Sequence, residues 1–205
     1  TGDATLRQLQ RLGPGPVDEQ EVRRILAPEL SGPWRRTPKL STALLSSLAK
    51  QAQSDLCCQV LCLMQTERLC VDLIHYNVAT RACRRGGRWQ RALEILGQMR
   101  EMSIQPDDIT YGTVISVCQA AGHWQLALSL LSTMLGSKIT PDVISYSATI
   151  SSCEKGGQWQ PALDLLCEMR SGRLSADAIT YNAAASACEK GRRWEWALEL
   201  LGESR

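Results

Sequence analysis

The chain has 205 residues, 44% of them hydrophobic, and its 23 basic and 21 acidic side chains leave a net charge of +2. That is enough apolar mass for a substantial core, and too even a charge balance for a globally polycationic nucleic-acid binder, so electrostatic recognition must be local. No run of 18 apolar residues occurs, which excludes an apolar membrane-spanning helix.

Residues 1–37 carry the weakest pattern. They read as a short helix over 5–12, a break at Gly13-Pro14-Gly15-Pro16, and a second helix over 19–26 capped by Asp18 and ended by Pro28. This is either an N-terminal helical segment or a decayed repeat.

From residue 38 a period of 35 governs the chain. Tyr76 recurs as Tyr111, Tyr146 and Tyr181; Cys83 as Cys118, Cys153 and Cys188; Trp89 as Trp124, Trp159 and Trp194. A fixed period in this range marks a repeat architecture. The units are 38–72, in degenerate form with Ser54 in place of the Trp, then 73–107, 108–142 and 143–177, and finally 178–205, truncated at its end. The array reads as part of a longer one.

Each unit reads as two helices. In 73–107, Ile74, Val78 and Cys83 lie along helix A, which Gly86 and Gly87 stop. Trp89, Ala92, Leu93, Leu96 and Met99 form one stripe at helical period along helix B. Pro106 ends the unit, and Asp107 stands at the N-cap of the next helix A. The last unit repeats the stripe as Trp194, Ala197, Leu198 and Leu201. No hairpin of this kind buries its stripe alone, so neighbouring units must stack. The four recurring Trp, in phase with the Leu residues, are expected in the inter-helix core. The fold class is therefore all-α, an α-solenoid of stacked 35-residue helix-turn-helix repeats.

The nine Cys are read as reduced. Four recur on the apolar side of helix A, where free Cys behaves as a small hydrophobe. Cys57, Cys58 and Cys62 lack the second ligand cluster that a zinc site wants. Neither a metal nor another cofactor is expected. His75 and His123 are the only histidines; His75 reads as a solvated helix-start residue and His123 as a turn residue. No Ser/His/Asp set, no H-E-x-x-H and no phosphate-binding glycine loop is apparent, so no enzyme is expected within the chain.

Three rows share the 35-residue period. Thr42, Asn77, Gly112, Ser147 and Asn182 follow the Tyr position; Asp72, Asp107, Asp142 and Asp177 close the units; Lys50, Arg85, Lys155 and Lys190 end helix A, with Ala120 as the gap. Stacking turns each row into a line on one face. Cations beside hydrogen-bonding groups suit a phosphate track beside a base-reading track. Each row also has a structural reading: Asp as a helix cap, a cation at a helix C-terminus satisfying the dipole, and Asn after Tyr as a buried hydrogen-bonder.

Tyr76-Asn77, the 87–93 turn into helix B, Met99 and Pro106-Asp107 together resemble the pentatricopeptide repeat family, weakly over 38–72 and strongly from 73 to 205. The recurring Trp is a variant feature, and Arg91, Leu126, Pro161 and Trp196 replace the acidic residue common before the helix B Ala. The resemblance implies a right-handed superhelix that binds single-stranded RNA at one base per repeat. It also implies action in a mitochondrion or plastid, as an adaptor in RNA processing, stability, editing or translation.

It further implies base recognition by Thr42 with Asp72 (guanosine), Asn77 with Asp107 (uridine), Gly112 with Asp142 (unspecified), Ser147 with Asp177 (guanosine) and Asn182 (a pyrimidine), hence a target G-U-N-G-Y. The base sandwich falls on Ile74, Ile109, Ile144 and Ile179, with Lys39 out of pattern; core is the alternative reading of these Ile. The expected partners are single-stranded RNA and other proteins, with no membrane and no small-molecule substrate. The alternatives are a peptide-binding scaffold, as in the 34-residue tetratricopeptide repeat, and the RNA-binding arm of an enzyme whose catalytic domain lies outside these residues.

Overall fold

The computed structural model describes residues 2–12 and 18–203, with side chains described over 4–12 and 18–200. The expected break at 13–16 and the side chain of Leu201 lie outside the described residues. All regular structure among the described residues is helical. The chain divides into two compact units, Thr1–Pro106 and Asp107–Arg205.

The first unit holds α1 (Gly2–Arg11), α2 (Glu19–Leu30), α3 (Pro33–Arg36), α4 (Pro38–Lys50), α5 (Ser54–Thr66), α6 (Leu73–Gly86) and α7 (Trp89–Glu101). Helix A of one hairpin packs on helix A of the next (α4 on α6), and helix B wedges against the following helix A (α5 on α6). The N-terminal pair joins this scheme, α1 against α4 and α2 against α5. Asp18 caps α2 by accepting from the Gln20 N–H, as expected, but Pro28 does not end the helix. A proline inside a helix removes its own N–H bond and crowds the carbonyl four residues back, but burial of Leu26 and Leu30 on either side of it holds the last turn.

The second unit holds α8 (Asp108–Ala121), α9 (Trp124–Gly136), α10 (Val143–Lys155), α11 (Trp159–Ser171), α12 (Ala178–Lys190) and α13 (Trp194–Glu203). It repeats the pattern: α8, α10 and α12 stack in order, with α9 and α11 each against the next helix A. The core is periodic. Cys83, Cys118, Cys153 and Cys188 are buried in helices A, and Ala92, Met99, Ala127, Met134, Ala162 and Met169 in helices B. Each buried Leu or Met contributes roughly 1.5–3 kcal/mol relative to exposure, so the repeated stripe is the main source of cohesion.

Two turns per hairpin use left-handed backbone. Gly87, Gly122 and Gly157 take positive φ after helix A, but the same register holds Ala52 and Arg192 at φ 58° and 55°. After helix B the left-handed residue is never Gly: Arg68, Ser103, Lys138 and Arg173 stand there. Such backbone costs a residue with a Cβ roughly 1–2 kcal/mol, so the turn geometry is enforced by the packing of the helices on either side.

The Trp residues depart from expectation. Trp89, Trp124 and Trp159 are half-buried, and Trp194 is 65% exposed. Instead of filling the space between helices A and B, the Trp124 ring covers Gly156 at the end of α10, and the Trp159 ring covers Gly191 after α12. Arg193 lies over the Trp159 ring at 5.0 Å from its centroid, a cation–π contact. Periodicity gave the phase of these rings along helix B, but the first turn of the helix projects beyond the core onto the neighbouring turn.

Candidate nucleic-acid interface

The closing Asp of each unit caps the next helix A. Asp72, Asp107, Asp142 and Asp177 accept from the backbone N–H groups of His75, Thr110, Ser145 and Thr180 at 3.2, 2.8, 2.8 and 2.9 Å. The hydroxyls of Thr110, Ser145 and Thr180 donate to the same Oδ1 at 2.6, 2.7 and 2.7 Å. Each carboxylate is thus aimed by two bonds to one oxygen. Those from the Thr180 hydroxyl and N–H hold the Asp177 carboxyl below its ordinary range.

Two residues on from each Asp stands the Ile. Ile74, Ile109, Ile144 and Ile179 are 57, 57, 62 and 67% exposed. They are not core. A helical spacing of three places Asn77, Gly112, Ser147 and Asn182 on the same side as the Ile before them. Of these, Asn77 and Ser147 are half-buried, Asn182 is exposed and Gly112 is buried. A Cβ on Gly112 would lie 3.1 Å from the Ser145 Oγ, a tight fit that explains the bare position. Within the second unit, α8, α10 and α12 stack in register, so Ile109, Ile144 and Ile179 recur side by side on successive helices.

The basic row is tethered. Arg85 Nη1 donates to the Lys50 carbonyl at 2.7 Å, Lys155 Nζ to the Gln119 carbonyl at 2.9 Å, and Lys190 Nζ to the Glu154 carbonyl at 3.3 Å. Each cation therefore meets the C-terminal carbonyls of the preceding helix A, where the helix dipole is negative. Lys190 also pairs with the Glu154 carboxylate at 2.6 Å. An ammonium carries three donors and a guanidinium five, so one carbonyl leaves donor capacity on Lys155 and Arg85, whereas Lys190 is partly neutralised.

His75 is the main correction. It is 1% exposed rather than solvated. Its Nδ1 lies 2.6 Å from Asp72 Oδ1, while Nε2 lies 2.9 Å from Ser41 Oγ and 3.2 Å from Thr42 Oγ1. The structure thereby brings together a carboxylate, an imidazole and a hydroxyl, a set not apparent from the sequence. Ser41 is 1% exposed and its hydroxyl donates to the Pro38 carbonyl at 2.6 Å, so it is not presented as a nucleophile. Spacing could not reveal the set, because its members lie in adjacent hairpins and meet only on stacking.

The remaining side chains belong to the scaffold. Tyr76 is buried, with its hydroxyl at the Gln65 amide. Burial raises the Cys118 and Cys153 thiols to about 11, which keeps them protonated and unreactive. Among the described residues no group of three or more His, Cys, Asp or Glu side chains is arranged to hold a metal ion. No helix among them is long and apolar enough to cross a membrane.

Comparison with known proteins agrees with the repeat fold. The sequence profile of the pentatricopeptide repeat domain matches residues 59–120 and 103–156, and that of the PPR repeat matches 144–174 and 179–205. No curated protein sequence matches. Among solved structures, the chain is similar to the pentatricopeptide repeat protein PPR10 in complex with an 18-nt psaJ RNA element, at 25% identity and a TM-score of 0.65, covering 98% of this chain and 30% of that one. The pentatricopeptide repeat protein PPR10 from maize is similar at 24% identity and a TM-score of 0.66, covering 99% of this chain and 33% of that one. The PPR domain of Arabidopsis thaliana protein-only RNase P 1 in complex with tRNA shares the fold at 16% identity and a TM-score of 0.70, covering 78% of this chain and 85% of that one. The chain thus spans about a third of PPR10. Period, capping and stacking, together with the profile matches over most of the sequence, place this chain in the pentatricopeptide repeat family.

Proposed function

We propose that the chain binds single-stranded RNA in a sequence-selective way, one base per repeat, as an adaptor in organellar RNA processing, stability, editing or translation. The observation that carries this reading is the exposed Ile at the second position of four successive helices A. Folding favours burying Ile, and three in register in the second unit, with Ile74 exposed at the same repeat position in the first, each beside a small or polar residue and a capped Asp, present repeated apolar surfaces to a flat ligand. A base stacked against such surfaces and read at its edge fits them. The complex of PPR10 with RNA supports the class of ligand.

In this reading Ile74, Ile109, Ile144 and Ile179 sandwich the bases. Thr42 with Asp72, Asn77 with Asp107, Gly112 with Asp142, Ser147 with Asp177, and Asn182 meet the base edges. Lys50, Arg85, Lys155 and Lys190 meet phosphates. The target is G-U-N-G-Y, and a mitochondrion or plastid is the compartment that family resemblance suggests.

The test is a titration of the chain and its Asn77→Thr variant against G-U-A-G-C RNA and its second-base substitutions. The expected result is a shift of preference at that base from uridine to guanosine. An unchanged preference removes Asn77 from the reading set, and equal binding of every RNA removes one-base-per-repeat recognition.

A further inference from the structure

We propose that His75 is a specificity-determining positioning residue, which locks Thr42 and Asp72 into one hydrogen-bonded unit and fixes that unit as an acceptor of hydrogen bonds. The inference rests on the reading of Thr42 and Asp72 as a base-contacting pair, and supplies what that reading lacks, a reason for the pair to act together. At the same position the other units carry Thr110, Ser145 and Thr180, whose hydroxyls reach the Asp. The imidazole carries a second nitrogen on its far side, and here that atom faces Ser41 and Thr42.

The proton positions follow from the partners. Nδ1 has two partners: Asp72 Oδ1, which only accepts, at 2.6 Å, and the Asp72 backbone N–H, which only donates, at 3.3 Å; the much shorter, charge-assisted contact takes the proton on Nδ1. In the neutral ring Nε2 is then a bare acceptor. Thr42 Oγ1 lies 3.2 Å from Nε2 and 3.5 Å from the Pro38 carbonyl, both acceptors and both inside the protein. Whichever of the two Ser41 satisfies, the Thr42 proton points inward. The hydroxyl therefore offers a ligand its lone pairs, beside an Asp72 carboxylate that also only accepts. Two adjacent acceptors complement the base edge with two adjacent donors, the N1–H and N2–H₂ of guanine. Adenine, cytosine and uracil each place an acceptor where one of these donors stands. An unlocked threonine hydroxyl, free to rotate, donates or accepts and discriminates less.

His75→Thr separates the two roles of the residue. It keeps the cap on Asp72, as Thr110 and Thr180 keep theirs, and removes the bridge to Thr42. The probes are synthetic G-U-A-G-C RNA and the three RNAs changed at the first base. The expected result is a wild-type preference for guanine that falls about three- to tenfold in His75→Thr, the value of one hydrogen bond, with second-base selectivity and melting temperature nearly unchanged. In a Thr42→Ala background His75→Thr should change nothing further, since His75 acts through Thr42.

Retained guanine preference in His75→Thr, or an additive effect in the double variant, overturns the inference while leaving RNA binding intact. A wild type that discriminates at the second base but not the first overturns it together with the Thr42–Asp72 reading. No discrimination at any base defeats the proposed function itself. A measurement free of RNA and of variants adds to these: ¹⁵N NMR of the unliganded chain should find the His75 proton on Nδ1 and none on Nε2, and a proton on Nε2, with or without one on Nδ1, would overturn the assignment.

Discussion

The ring of Trp124 occupies the space that a side chain on Gly156 would need: a Cβ there would lie 2.3 Å from Trp124 Cδ1. The pair is a lock between consecutive hairpins, and Trp159 with Gly191 repeats it at the same 2.3 Å. Gly156→Ala should therefore destabilise the second unit by about 1–3 kcal/mol, the usual cost of overpacking. Trp124→Ala, which removes a half-buried ring, should cost about 2–3 kcal/mol. In the Trp124→Ala background Gly156→Ala should become nearly neutral. Urea denaturation of the four proteins measures the coupling, and additive effects would show that the two residues are not in contact.

Left-handed backbone at residues with a side chain offers a gain instead of a loss. Arg192 has φ 55° at the register where Gly87, Gly122 and Gly157 stand. Arg192→Gly should stabilise the chain by about 1 kcal/mol, because relief of a roughly 1–2 kcal/mol strain exceeds the added freedom of the unfolded glycine. Ala52→Gly should do the same in the first unit. Thermal melts that fall with either substitution would contradict the left-handed turn.

The two lysines of the second unit should not be equivalent. Lys155 donates to one carbonyl, whereas Lys190 is also paired with Glu154. Lys155→Ala should weaken RNA of every sequence more than Lys190→Ala does. If all four cations of the row meet phosphates, log affinity against log salt should have a slope of roughly −3, at about 0.7 per contact. The slope should become shallower by up to about 0.7 in Lys155→Ala and by less in Lys190→Ala. Filter binding across a salt series decides this, and a flat response would leave the row with a structural role only.

Asp177 links stability to pH. Its folded pKa is lowered by the Thr180 hydroxyl and N–H, from an ordinary value of 3.8. For a depressed carboxylate the unfolded state takes up the proton first, so the stabilisation is complete above the ordinary value and is lost as pH falls through it towards the folded pKa. The wild type should lose stability below about pH 4, and Asp177→Asn should show a shallower acid limb. Equal slopes for both proteins would mean that the cap does not distinguish the ionised group.

The repeat length, the helix limits and the Asp caps were legible in the sequence because each depends on local chemistry: a carboxylate before a helix, a glycine after one, an apolar stripe at helical period. Pro28 does not end its helix because the burial of Leu26 and Leu30 offsets the lost N–H bond and the crowding of the carbonyl four residues back. The exposed Ile row could not be separated from core by periodicity, since both have the same spacing; only accessibility distinguishes them. Trp124 and His75 were misplaced for a shared reason. The partners of each lie in a neighbouring hairpin, 32 residues on for Gly156 and 33 or 34 back for Thr42 and Ser41, and become neighbours only when hairpins stack.

The bonds from Arg85, Lys155 and Lys190 back to the preceding helix end give the array a mechanical property. Each cation is a rivet between adjacent hairpins, and in the proposed RNA complex the same group would meet phosphate. A polyanion that draws the ammonium of Lys155 towards itself loosens the rivet, while one that leaves the carbonyl bond in place finds its cation already held. If the row does meet phosphate, stiffness between hairpins and grip on the strand would be adjusted by the same few atoms.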